Sequence, residues 1–255
     1  MRCPLRWTFN MNVNHAWIGA FVDNYPGGDI VIISDHWDGS PTNYLWSSPH
    51  LNDLDDPAEI GSRAAALKAI YDGAMYVHRL GDYHVWPMER PIERHDVTLE
   101  NLELRFPFEP FSEEWSSWMF ETVEDPHRNP VSLYLFLAHY SDVVKSMLLF
   151  LGANGPSWIS LYALKDFMEQ AGKKEADLAK AVGVPLSALQ LFRATANNFA
   201  AIGPFARHGE VGWLPPKDPM RLVDATKLIL RCAAAFLEDE AKRVDTRAAF
   251  AVKTV

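Results

Sequence analysis

Seven residues, Glu124 to Pro130 (EDPHRNP), divide the chain into two stretches of different hydrophobic rhythm. Two prolines and five polar residues in a row suit neither helix nor strand, because proline lacks a backbone donor and restricts the residue before it. Ahead of the break, apolar residues come mostly in short aromatic and β-branched runs; behind it they recur at helical spacing. The expectation is an α+β fold. A small N-terminal antiparallel sheet with one helix occupies 1–125, an all-α helical bundle occupies 130–243, and 244–255 form a tail.

In the front half, residues 5–9 (LRWTF), 16–22 (AWIGAFV) and 30–34 (IVIIS) read as strands, with a turn at Pro26-Gly27-Gly28-Asp29. NYLWS (43–47) reads as an edge strand, and Tyr83–Trp86 and Val97–Arg105 as two more. Between them Asp56 can cap a helix whose first position is Pro57 and whose first turn carries Glu59. Ile60, Ala64, Leu67, Ile70, Tyr71, Ala74 and Val77 give it one apolar face as far as about Arg79, and Gly73 marks close approach of another element. Trp115, Trp118, Met119 and Phe120 form an amphipathic connector between the halves.

In the back half, helices are expected over Val131–Leu151, Trp158–Gln170, Lys174–Val182, Leu186–Ala201 and Pro219–Lys242. Ser157 is placed to cap the second, and Asp218 with Pro219 to start the last. The last helix has an apolar face of Leu222, Ala225, Ile229, Cys232, Ala233 and Phe236. Val131–Leu151 is the most hydrophobic segment, but His139, Asp142 and Lys145 across it mark a buried core helix, not a membrane span.

Composition narrows the partners. A net charge of -9 argues against coating duplex DNA or RNA, whose phosphates reward a basic face. Cys3 and Cys232 stand far apart and read as reduced thiols, and no apolar leader precedes the first strand. A cytoplasmic protein with no membrane contact is the expectation.

Polar groups crowd most densely into an apolar setting between Leu189 and Trp213. Arg193, Thr195, Asn197 and Asn198 lie on a helix-like segment, and Arg207 and His208 follow the Gly203-Pro204 break. One reading makes this a site in which Arg207 holds a phosphate and His208 moves a proton, with Arg193, Asn197 and Asn198 orienting the ligand. The other makes the same side chains a network that ties the loop to the fold. Residues 177–192 also match a helix-turn-helix pattern, with Ala179 at the crossing, Gly183 at the turn and Leu178, Val182, Val184, Leu189 and Phe192 buried. Its recognition helix offers only Ser187, Gln190 and Arg193, too little for duplex DNA on an acidic chain.

Asp35-His36-Trp37-Asp38, His95-Asp96 and histidines 15, 50, 78, 84, 127 and 139 form no two-histidine helical pair or HExxH motif, and the cysteines add no pair. No metal is expected. No nucleophile elbow, Walker loop or dinucleotide fingerprint is present either, so no cofactor is expected.

Arg193 and Asn197 on a helix, with Arg207-His208 before the last long helix, give the back half a resemblance to the higher-eukaryote and prokaryote nucleotide-binding (HEPN) superfamily. The resemblance covers Val131 to Lys242. Many members of that superfamily are metal-independent ribonucleases of toxin–antitoxin and phage-defence systems, using an arginine and a histidine at a dimer interface; others only bind nucleotides or partners. It implies a HEPN-like accessory or defence-type protein of bacterial kind, with RNA or a nucleotide as ligand, a homodimer as assembly, and Arg207 and His208 as the catalytic pair. The alternatives are a non-enzymatic interaction or scaffold protein, and behind it a DNA-binding regulator.

Overall fold

The computed structural model describes residues 5–11, 28–35, 43–85, 88–92, 109–112, 127, 129–209 and 212–253. The sequence-predicted strands at 16–22 and Val97–Arg105, the connector at Trp115–Phe120, and His15, His36 and His95 lie outside them. In chain order the elements are β1 (Thr8–Met11), β2 (Val31–Asp35), β3 (Asn43–Ser47), α1 (Pro57–His78), β4 (Met88–Ile92), α2 (Pro130–Ala138) and α3 (Asp142–Asn154). They continue with α4 (Trp158–Gln170), α5 (Glu175–Ala181), α6 (Leu186–Ala196), α7 (Phe199–Ile202), α8 (Leu222–Arg243) and α9 (Thr246–Lys253). The fold is α+β, as the two hydrophobic rhythms require.

Contacts divide the chain into two compact units, one of 1–68, 84–140 and 245–255, the other of 69–83 and 141–244. The first holds an antiparallel sheet of order β2-β3-β1-β4. NYLWS is therefore not an edge strand: β3 pairs on both sides, with β1 through Phe9 and Trp46 and with β2 through Ile32 and Trp46. Its Trp46 is fully buried, and a large aromatic at that position needs neighbours on both flanks. Its indole meets Phe9 edge-on at 5.5 Å. An edge falls instead to β4, where Pro91 opposite Phe9 can donate no ladder bond and a bulge interrupts the register. Tyr83–Val85 form no strand; the Tyr83 hydroxyl, which belongs to the second unit, donates to Asp72 Oδ1 at 2.7 Å.

Helix α1 starts as its first turn predicts, with the Glu59 N–H donating to Asp56 Oδ2. It buries far more than one face: Ile60, Ala64, Ala66, Leu67, Ile70, Ala74 and Met75 are all fully covered. Two helices expected to be continuous are broken. Val131–Leu151 divides at His139–Ser141 into α2, capped by Asn129, and α3. Leu186–Ala201 divides at Asn197-Asn198, where the Asn198 side chain accepts from the Ala201 N–H and starts α7. Asparagine offers the backbone this competing bond, and the helical periodicity of the apolar residues does not register it.

The second unit is helical. Helix α4 packs on both α3 and α8, and the Ser157–Ser160 capping box fixes its start. Helices α5 and α6 join through Gly183 at φ +67°, with Leu178, Ala179, Val182, Leu189 and Phe192 buried and Val184 only half-buried. The Arg231 guanidinium on α8 donates to the Val182 carbonyl and closes the end of α5. Helix α8 begins at Leu222, three residues later than Asp218-Pro219 suggest, because the Met220 N–H is held by Thr195 Oγ1 at 3.1 Å. Residues read from the sequence as a tail contain α9.

Candidate functional site

Among the described residues two clusters carry chemistry, one in each unit. In the helical unit, Trp158, Tyr162 and Asp166 recur one turn apart on α4 and so share a face. The loop after α7 returns to that face: the Arg207 N–H donates to the Ala196 carbonyl at 2.9 Å, which pins the backbone to the end of α6. The Arg207 guanidinium then lies over the Tyr162 ring at 4.2 Å and reaches Asp166 Oδ2 at 3.1 Å. Asn197 Nδ2 donates to the Tyr162 hydroxyl at 3.2 Å, while its Oδ1 is buried with no hydrogen-bond partner among the described residues. Turning the amide over would exchange the two ends and leave the nitrogen unpaired instead.

Arg207 and Asn197 thus converge on Tyr162; the other three predicted residues do not join them. Arg193 is half exposed on α6 and pairs with Glu175 at 3.3 Å. Asn198 is buried and structural, capping α7 and donating through Nδ2 to the Trp213 carbonyl. His208 is exposed and meets Trp213 edge-on at 6.4 Å. Around this loop Phe205 and Trp213 are 67% and 57% exposed, much more than large aromatics usually are.

The second cluster, in the sheet-containing unit, is buried. Asp29 precedes β2, His50 lies in a 3-10 turn after β3, and His139 ends α2. Asp29 Oδ1 accepts from His50 Nε2 at 2.9 Å and from His139 Nε2 at 2.6 Å. The Ser112 N–H donates to His50 Nδ1 at 3.0 Å, which puts the His50 proton on Nε2, facing Asp29. Ser48 Oγ donates to the Asp29 carbonyl and accepts from the His50 N–H, so the two backbones are joined as well. Phe111 stacks on His139 at 3.7 Å and touches His50 edge-on.

The electrostatics follow from burial and pairing. Burial by itself would raise the Asp29 carboxyl, but the two imidazoles, His139 foremost, hold it well below the usual carboxylate range. Burial pushes the His50 imidazole below its ordinary value, against the pull of Asp29. Asp29 is therefore ionised and His50 neutral at pH 7. Sequence reasoning placed Asp29 in a turn and left His50 and His139 among scattered histidines. Their separations of 21 and 110 residues from Asp29 follow no helical or strand period, so only the fold brings them together.

Comparison of the chain with protein-family models, with curated proteins and with solved structures finds no match.

Proposed function

We propose that the helical unit is a HEPN-like module that binds single-stranded RNA or a nucleotide at the Arg207–Tyr162 face. One observation carries the reading: the Arg207 cation and the Asn197 amide nitrogen converge on the same tyrosine. A guanidinium held over an aromatic ring is kept ordered for an anion, and a phosphate would take the place of the Asp166 carboxylate. Exposed Phe205 and Trp213 are the stacking surfaces that unpaired bases use. His208 is the group that would move a proton if the RNA is cleaved, and a homodimer is the assembly in which the superfamily does so.

A non-enzymatic interaction role is the second reading. It draws on the ion pairs Arg193–Glu175 and Arg207–Asp166 and on the capping role of Asn198, which already occupy most of the cluster within the unit. Duplex DNA is less well served, since Arg193 is held by Glu175.

Fluorescence anisotropy with a labelled single-stranded RNA, run with chelator present, separates these. Arg207→Ala is expected to weaken binding about tenfold or more, the loss of one charge-assisted bond. Its melting temperature should barely move, because a half-exposed ion pair adds about 1 kcal/mol or less. His208→Ala should leave melting unchanged and remove any cleavage of the same RNA. Equal affinity of the parent protein and Arg207→Ala would sink the proposal in favour of the interaction role.

A further inference from the structure

The geometry points to Asp29, His50 and His139 as a three-ligand site for a divalent first-row metal ion of the zinc class. One ligand atom from each residue lies within 4.8 Å of the other two. The donors are two imidazole nitrogens and a carboxylate oxygen, a set suited to zinc, cobalt or ferrous iron; magnesium and calcium prefer all-oxygen shells. With bonds of about 2.1 Å, tetrahedral ligand atoms sit roughly 3.4 Å apart. Asp29 Oδ1 is already 2.9 Å from one imidazole nitrogen and 2.6 Å from the other, so an ion needs these contacts to open by about 0.5 Å and about 0.8 Å.

The surroundings suit this use. Binding at His50 Nε2 moves that ring's proton to Nδ1, where the Ser112 N–H now donates. Ser112 also places its hydroxyl 3.4 Å from Nδ1, so a small turn of that residue replaces a donor with an acceptor. That is the outer-shell bond metal-bound histidines commonly make. Phe111 covers one side of His139, and among the described residues these three side chains are the protein ligands.

The test uses untagged, chelator-stripped protein titrated with Co2+ and followed by visible absorption, then with Zn2+ as competitor. One equivalent of Co2+ is expected to give ligand-field bands that Zn2+ bleaches, and Zn2+ should raise the melting temperature. In His139→Ala, loss of a ligand should weaken Co2+ binding at least tenfold and remove the Zn2+ shift. Circular dichroism checks that the variant is folded; if it is not, Asp29→Asn takes its place, with the same expected loss. No stoichiometric Co2+ binding by the parent protein, or unchanged affinity in a folded variant, overturns the assignment.

Discussion

Gly152→Ala is expected to destabilise the helical unit by about 3 kcal/mol or more, at the upper end of what overpacking costs. A Cβ built on Gly152 falls 1.7 Å from the Ala69 carbonyl oxygen and 2.8 Å from the Gly73 nitrogen. One built on Gly73 falls 2.0 Å from the Leu148 carbonyl oxygen. Helices α1 and α3 therefore cross backbone to backbone in this unit, and no side-chain rotation relieves the clash. Alanine's better helix propensity returns only about 1 kcal/mol. Gly73→Ala should cost a similar amount, and the double variant less than the sum, because one separation of the helices relieves both clashes. Urea denaturation of the three variants checks this. Gly172 is the control: its φ is +90° but nothing among the described residues lies within 4 Å of its Cβ position, so Gly172→Ala should lose only about 1 kcal/mol, from backbone strain. Equal losses at Gly152 and Gly172 would remove the close crossing as the cause.

Asp29→Ala carries the second large effect. It strips the common acceptor from two imidazole N–H groups, one in a fully buried ring and one in a largely buried ring. Removing one member of a buried charged network costs about 3–5 kcal/mol. Asp29→Asn, which keeps an acceptor of the same shape, should lose less. The same network sets a pH dependence in metal-free protein. The folded His50 pKa is lowered, so between its folded value and about 6.5 the unfolded chain binds the extra proton. Stability from this group is thus fully present above about pH 6.5 and lost as pH falls through the lowered value. Asp29 adds a second loss at more acid pH, since its carboxyl is also held below the ordinary range. Urea midpoints at pH 7.5 and 5.5, with chelator, should fall on acidification. His50→Gln should flatten the part due to that ring; a slope unchanged in that variant would assign the effect to other groups.

Much of the fold was legible because it rests on local chemistry. Asp56-Pro57 starts α1, Ser157 starts α4, and Gly183 turns between α5 and α6, each through bonds or dihedrals spanning a few residues. Gly73 was read as a close approach because a glycine inside a helical pattern has few other uses. The failures have other causes. The break at Asn197-Asn198 comes from a local asparagine bond that apolar periodicity does not register, and the late start of α8 from a side chain meeting backbone far along the chain, as Thr195 does at Met220. The interior place of β3 depends on which strands pair, and alternation within five residues does not encode its neighbours.

The candidate sites divide on the same line. The density of polar groups from Arg193 to His208 is visible in one dimension, and it led to Arg207 and Asn197, which do meet at Tyr162. Tyr162 and Asp166, their actual partners, lie more than thirty positions away on another helix and carried no motif. Asp29, His50 and His139 were invisible for the stronger reason that nothing periodic relates them. The sequence by itself determined where helices and strands can begin and the α+β class, because capping, turn chemistry and hydrophobic period act over a few residues. Only the tertiary structure decided which ionisable groups share a buried volume, because burial and electrostatic coupling depend on distance in space and not along the chain.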